Sequence, residues 1–435
     1  MALSTDALAA SMSVHSAHGL TAASTLSEPA DAHHRRRQAL FDLHSGRTQD
    51  ALAAIRAELR LSEDSVRWLS AEITAAMTAR DLSVAGILAG ELAVFQRGSP
   101  RYPGAGAQAP EQVLSLPKLR HDIAQYRYLR EQGVLGADFD ATVVAHEAVA
   151  ERYRALGDNT RVPLSVEDLA AIGDSYGRIV HLAAADRTDG PALSTHWNRD
   201  AVQRAYLDHR PGVIVIDDFL SADALARLNR FCLQSTCWFG NRYANGRLGA
   251  FLFSGFNAPL LLQIAEEIRD ALPRVIDDRH PLRQLWAFKN TGELPADSTI
   301  HADFAAVNVN FWITPEDANL DPDSGGMVIY DIDAPASWDF ATYNERIDII
   351  RDYLAVRQPR VIRVPYRQNR AVIFNSDLFH ATEAVRFRPG YLNHRINVTM
   401  LYGDRNDDQH HPPSDDSSGA CTPGWRSAAF SRSRR

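Results

Sequence analysis

His301-Ala302-Asp303-Phe304-Ala305-Ala306-Val307-Asn308-Val309-Asn310-Phe311-Trp312-Ile313 decides how this chain is read. On an extended strand, residues two apart leave the same face, so His301 and Asp303 present an imidazole and a carboxylate side by side. From Ala305 to Ile313 the residues alternate. Val307, Val309 and Phe311 fall on one face, and Asn308, Asn310 and Trp312 on the other. That pattern predicts a strand with one apolar and one polar face. The polar face either lines an enclosed polar space or meets solvent. Upstream, Gln284-Leu285-Trp286-Ala287-Phe288 is strand-like, and Thr291-Gly292-Glu293-Leu294-Pro295 is turn-rich.

A third ligand comes from far along the chain. His380 closes the β-rich run Arg370-Ala371-Val372-Ile373-Phe374-Asn375-Ser376-Asp377-Leu378-Phe379-His380. Two histidines and one carboxylate form the facial set that suits Fe(II) and leaves coordination positions open for chemistry. His301, Asp303 and His380 are therefore the expected metal ligands and catalytic residues. His394 is the rival to His380, but it stands beside Arg395, and alternation turns it away from that residue's face. In Arg395-Ile396-Asn397-Val398-Thr399-Met400-Leu401-Tyr402, Arg395, Asn397 and Thr399 share one face and Ile396, Val398 and Met400 the other. Arg395 follows His380 by fifteen residues, a spacing that fits the next antiparallel strand. Its planar fork is the natural partner of a carboxylate in a semi-enclosed site. A structural salt bridge is the other reading of the same arginine.

His301-x-Asp303, His380 and Arg395-x-Asn397, in that order, resemble the Fe(II)- and 2-oxoglutarate-dependent dioxygenases built on a double-stranded β-helix, or jelly roll. The run Gly325-Gly326-Met327-Val328-Ile329-Tyr330 also resembles a strand of that superfamily, and the resemblance spans roughly residues 212 to 403. It implies Fe(II) as cofactor and 2-oxoglutarate and O2 as cosubstrates. It also implies that Arg395 pairs with the 5-carboxylate of 2-oxoglutarate, with Asn397, Thr399 and Asn310 beside it. The implied activity is hydroxylation of an unactivated C–H bond in a peptide or small molecule, with release of succinate and CO2. In halogenating relatives halide takes the place of the carboxylate on iron, so Asp303 favours hydroxylation or a related oxidation. One departure stands out. Many relatives carry a cosubstrate-binding tyrosine on the strand before HxD, where this chain has Phe288, so that hydrogen bond comes from Asn310 or Thr399, or is absent.

The chain has 435 residues, of which 45% are hydrophobic and 23% charged, ordinary values for a globular protein. That length holds two domains, or one large domain with a helical extension. A net charge of −8 and an isoelectric point near 6.1 argue against a nucleic-acid partner. No apolar run approaches the ~20 residues of a membrane span. Cys232 and Cys237 lie five apart on an expected helix, and Cys421 lies in a polar tail. This is neither a disulfide framework nor a zinc pattern, and it reads as free thiols in a reducing, cytoplasmic compartment.

The expected class is α+β: a jelly-roll catalytic domain preceded by an all-α helical domain. Residues 1–33 read as a disordered leader, and His33-His34-Arg35-Arg36-Arg37 as a solvated helix start. Residues 34–190 form the helical domain, with helices at Ala51–Leu59, Leu82–Phe95, Leu114–Glu131, Ala141–Leu156 and, capped by Ser165, Val166–Ala171. A Pro/Gly-rich linker is expected at Ser99–Pro110. Ala51 and Ala85 stand 34 apart, the tetratricopeptide period, which a degenerate repeat or an ordinary bundle both accommodate. Residues 195–403 hold the jelly roll. Its first elements are a strand at Gly212–Asp218, a helix capped by Ser221 through Cys232 and a strand at Arg247–Phe256. An amphipathic helix at Ala258–Ile276 and a helix at Asp339–Val356 follow. Residues 404–435 read as a disordered tail whose His410-His411 pair is solvated. Two other function classes remain open on this sequence: a non-catalytic metal-binding jelly roll acting as sensor or scaffold, and a cofactor-free cupin-type metal enzyme.

Overall fold

Alternating side chains build two antiparallel sheets that face one another. In the computed structural model, which describes residues 30–61, 64–98, 113–296 and 298–405, the strands are β1 (Val113–Leu114), β2 (Val162–Pro163), β3 (Val213–Ile216), β4 (Arg247–Phe251), β5 (Leu282–Asn290), β6 (Val307–Trp312), β7 (Met327–Asp333), β8 (Val361–Val364), β9 (Ala371–Asn375), β10 (Leu378–Thr382) and β11 (Arg395–Tyr402). The larger sheet has the order β3-β9-β6-β11-β5-β4 and the smaller β10-β7-β8, while β1 and β2 pair alone. A bridge between His301 and His380 adds the HxD segment to the edge of β10. Val213, Trp312, Val372 and Phe374 of the larger sheet pack against Met327, Ile329, Val364 and Leu378 of the smaller one.

The outer face of the larger sheet is covered by helices. In chain order the helices are α1 (Ala30–His44), α2 (Thr48–Leu59), α3 (Asp64–Thr78), α4 (Leu82–Arg97), α5 (Leu116–Glu131), α6 (Asp140–Arg152), α7 (Val166–Ile172), α8 (Arg199–Asp208), α9 (Ala222–Gln234), α10 (Pro259–Ala271) and α11 (Ile347–Arg357). Helix α6 packs on α5 and α7 on α6, and α11 packs instead with Phe379 and Ala381 of β10 in the smaller sheet. Val307, Val309 and Phe311 of β6 join Val398 and Met400 of β11, Leu228 and Phe231 of α9, and Leu261, Ile264 and Ile268 of α10 in one buried cluster. The same cluster continues through Ile55, Leu69 and Leu88 of the first helices. Each such side chain gains roughly 1.5–3 kcal/mol on leaving water. Helix α1 packs on α2 and α3 on α4. Ala51 and Ala85 are the fourth residues of α2 and α4, and both are fully buried.

Local chemistry sets the element ends. Ser221 accepts a hydrogen bond from the Ala224 amide and starts α9. Ser165 and Asp168 form a reciprocal capping box on α7. Several boundaries differ from the sequence expectation. Helix α10 ends at Ala271, before Ile276, because Pro273 follows. Strand β4 ends at Phe251 and gives way to a 3-10 turn at Leu252–Ser254, closed by Gly255 at φ 102°. The segment 339–356 is not one helix. A π-turn, Ala341–Glu345, is separated from α11 by Arg346 at φ −91°, ψ 72°. Cys237 lies beyond the end of α9 rather than on it, and Cys232 and Cys237 are both free and buried. The basic run at 33–37 is only partly solvated: Arg36 is buried and donates to Glu58 at 3.0 Å and Ser65 at 3.0 Å. Helix α1 already begins at Ala30, and at the other end Arg405 still donates to Asp377 at 2.5 Å. The leader to residue 29, the linker, Cys421 and His410-His411 lie outside the described residues. Among the described residues no helix is long and apolar enough to cross a membrane.

Where α5 meets the sheet, the contact is polar. Lys289 of β5 is wholly buried on the outer face. It donates to His121 Nε2 at 3.2 Å, the Tyr391 hydroxyl at 3.2 Å and the Cys232 carbonyl at 3.3 Å, and stands 4.3 Å from the Trp238 ring centroid. Burial pushes its pKa down to about 7. Below that value the folded and unfolded chains are both protonated and the burial penalty is complete. Between about 7 and the ordinary 10.5 only the unfolded chain holds the proton, so stability rises with pH. Compared with Lys289→Met across pH 6.5 to 9, the wild type is therefore expected to gain stability at up to about 1.4 kcal/mol per pH unit. Denaturant titrations at each pH measure the slope; a pH-independent difference between the two proteins contradicts it.

Candidate metal centre

The site is assembled by backbone pairing before any side chain is considered. The His301 amide donates to the His380 carbonyl at 3.0 Å, and the His380 amide to the His301 carbonyl at 2.8 Å. Directly paired residues project to the same side, and the two imidazole centroids lie 4.4 Å apart. Two residues on, the Asp303 amide donates to Ser376 O at 3.2 Å and brings the carboxylate to the same side. The π-turn holds the segment from behind: the Ala302 amide donates to Tyr343 O at 2.9 Å, and Asn344 Nδ2 to Ala302 O at 2.8 Å.

Hydrogen bonding then fixes each ring. His301 Nδ1 lies 2.6 Å from Thr299 O, and His380 Nδ1 lies 3.0 Å from Leu378 O. A carbonyl only accepts, so each Nδ1 carries the proton and each Nε2 presents a lone pair. Those Nε2 atoms face the Asp303 carboxylate at 3.5 and 3.4 Å. Burial, then the His380 ring, push the His301 pKa down to about 4, so its imidazole is neutral at physiological pH. Burial alone raises the Asp303 carboxyl pKa, but His301, His380 and the amide of Asn308, 2.6 Å away, outweigh it and hold the group below its ordinary value. Three electron-pair donors thus converge, all within 4.8 Å of one another. This set, two imidazole nitrogens and one carboxylate oxygen, fits Fe(II). The carbonyl bonds at Nδ1 are the supports that orient metal-binding histidines.

Beside these residues opens a cavity whose wall is the inner face of β4, β5, β11 and β6. Arg395 is 3% exposed. Its guanidinium donates to Gly325 O at 2.5 Å, Gly326 O at 3.2 Å and Asn290 Oδ1 at 3.4 Å, and none of its bonds goes to a carboxylate. Burial pushes its pKa down to about 9. A Cβ on Gly326 would meet Val364 O at 1.9 Å, which explains glycine at this place, where bare carbonyls approach the arginine. Among the described residues, two more donors next to Arg395 have no acceptor, Asn290 Nδ2 and Trp312 Nε1, both buried. A buried cation flanked by unspent donors suits an anionic ligand.

The structure brings every expected site residue together. His301, Asp303, His380, Arg395, Asn397, Thr399 and Asn310 all line this cavity. Asn308, Asn310 and Trp312 face inward and are buried, so the polar face of β6 belongs to an enclosed space. Asn397 and Thr399 donate to Asn310 Oδ1 at 2.9 and 2.6 Å, Asn310 to Asn308, and Asn308 to Asp303. This amide chain supports the carboxylate and spends the Thr399 hydroxyl proton and one N–H of Asn310. The rival His394 is elsewhere, against His121 with centroids 6.2 Å apart. Sequence reasoning missed Arg247, Asn290 and the interior position of Trp286. Their signal is the register Arg247↔Asn290↔Arg395 across three strands, which appears only once the strands pair.

No protein-family model matches the sequence, and no curated protein matches it. Solved structures do resemble it in part. One is described as the non-heme α-ketoglutarate-dependent carbocyclase SnoK from nogalamycin biosynthesis, at 13% identity and TM-score 0.32, covering 49% of this chain and 87% of that one. Another is a Pseudomonas putida prolyl-4-hydroxylase at 14% identity and TM-score 0.31, covering 47% and 98%. A third is HygX from Streptomyces hygroscopicus with nickel, 2-oxoglutarate and hygromycin B bound, at 13% identity and TM-score 0.32, covering 49% and 88%. Scores and identities this low leave the reading of the site to its own geometry.

Proposed function

We propose that this chain is an Fe(II)- and 2-oxoglutarate-dependent oxygenase that hydroxylates an unactivated C–H bond of a peptide or small molecule. The observation that carries the reading is the pairing of two features in one cavity. Three electron-pair donors converge within 4.8 Å of one another, and the buried guanidinium of Arg395 beside them bonds two backbone carbonyls and an amide oxygen and no carboxylate among the described residues. Fe(II) and 2-oxoglutarate would complete both at once. The strand winding supports a double-stranded β-helix: in chain order from β5 to β11, the strands and the 301–303 segment are shared between the two facing sheets. Free, buried Cys232 and Cys237 agree with a reducing, cytoplasmic setting.

When bound, the metal and cosubstrate supply O2 activation and C–H oxidation, with succinate and CO2 as coproducts. The chain's own residues do the rest. His301, Asp303 and His380 would hold the metal. The carbonyls of Thr299 and Leu378 lock the imidazole tautomers, and Asn308 fixes the carboxylate. Arg395 neutralises the distal carboxylate, with Asn290 and Trp312 able to donate beside it. Phe288, Trp312 and Met327 form the apolar part of the wall and exclude water.

The test is anaerobic calorimetry of 2-oxoglutarate binding to the Fe(II)-loaded protein, followed by succinate measurement on admitting air. Metal-dependent binding and succinate release support the reading. Binding of metal without 2-oxoglutarate overturns it in favour of a cofactor-free metal site.

A further inference from the structure

Arg247 is a second cavity arginine that forms no ion pair among the described residues, and nothing in the cosubstrate reading uses it. Its register places it in one cross-strand row with Asn290 and Arg395, and directly paired residues project to the same face. Two strand spacings put the ends of that row about 10 Å apart. Arg247 is partly buried, lies 3.7 Å above the Phe288 ring centroid and 5.5 Å from that of Tyr243, and its guanidinium forms no hydrogen bond or ion pair among the described residues. Gly249 makes this stacking possible: a Cβ there would stand 2.8 Å from the Phe251 ring and 3.2 Å from Phe288. The side chain lines the same cavity as His301 and Asp303. Burial pushes its pKa down to about 10, so it remains a cation at physiological pH, stacked on aromatic rings.

Stacking occupies the face of a guanidinium and leaves its N–H edge free, and that edge is the geometry of a two-pronged bond to a carboxylate. We propose that Arg247 binds the carboxylate of the primary substrate, so that the substrate is an organic acid whose apolar body lies along Phe288 and Trp286. This rests on the oxygenase reading for the identity of Arg395's ligand, because one arginine then takes the cosubstrate and the other the substrate. The two cations at opposite ends of one row explain how a site selects two acids without exchanging them. Arg395 is buried among backbone carbonyls, and Arg247 is more open.

The test uses the full chain loaded with Ni(II) and saturating 2-oxoglutarate, with hexanoate and hexanamide as matched probes followed by saturation-transfer NMR. Wild type is expected to bind hexanoate about tenfold more tightly than hexanamide, the worth of one charge-assisted contact. Arg247→Gln removes the preference and Arg247→Lys retains part of it. Calorimetry on the same variants is expected to change 2-oxoglutarate affinity by less than about threefold, well inside one such contact. Equal binding of the two probes to wild type overturns the proposal, as does a preference that survives Arg247→Gln. A loss confined to 2-oxoglutarate affinity also overturns it, because Arg247 then belongs to the cosubstrate. If Ni(II) and 2-oxoglutarate fail to bind while the hexanoate preference follows Arg247, the oxygenase reading fails and the carboxylate site stands.

Discussion

Arg395→Met is expected to make the ligand-free protein more stable while it weakens 2-oxoglutarate binding by about a hundredfold or more. Truncating one member of a buried, hydrogen-bonded charge pair costs roughly 2–5 kcal/mol of binding. The free protein carries the opposite balance. Its guanidinium is buried against carbonyls and an amide, with no counter-charge. Replacing buried ion pairs by well-packed apolar side chains of similar volume is often neutral or stabilising by roughly 1–4 kcal/mol, and among the described residues Arg395 has no carboxylate partner that its loss would strand. The folded-state pKa of about 9 lies below the ordinary 12.5. The penalty is therefore complete below pH 9 and is relieved only as pH rises from there towards 12.5. At neutral pH, denaturant unfolding of the apo protein and calorimetry with 2-oxoglutarate should move in opposite directions. Loss of stability without loss of affinity would mean that Arg395 is a structural tie and not a ligand seat.

His380→Ala is expected to lower Fe(II) affinity by more than about a hundredfold, beyond what loss of a mere supporting partner costs, and to abolish succinate release. The backbone bridge to His301 does not depend on the side chain, so the strand pairing that positions the site survives. His394→Ala is the matched control. That ring lies against His121 on the far side of the sheet, and its loss should leave Fe(II) affinity unchanged. Anaerobic metal titration against a competing chelator measures both variants. Equal effects of the two substitutions would remove His380 from the centre.

Much of this site is legible in the sequence because its parts lie on strands, where the period of two assigns faces directly. His301 and Asp303, the inward set of β6, and Arg395 with Asn397 and Thr399 all follow from alternation. So does the rejection of His394. What escapes is register. Nothing in Arg247's own neighbourhood says that it opposes Asn290, and nothing near Asn290 says that it touches Arg395. The break at Arg346 was hidden for a related reason: residues 339–356 have helical composition, but Tyr343 and Asn344 are turned to support Ala302. The polar seam joins Lys289 to His121, 168 positions away, and to Tyr391, 102 positions away. No local pattern marks such a contact.

The most direct measurement is a crystal structure of the protein grown anaerobically with Fe(II), with anomalous scattering recorded at the iron edge. A single strong peak is expected within bonding distance of His301 Nε2, His380 Nε2 and an Asp303 carboxylate oxygen. A peak elsewhere, at His394 and His121 or at His410-His411, or iron held by fewer than these three side chains, would contradict it.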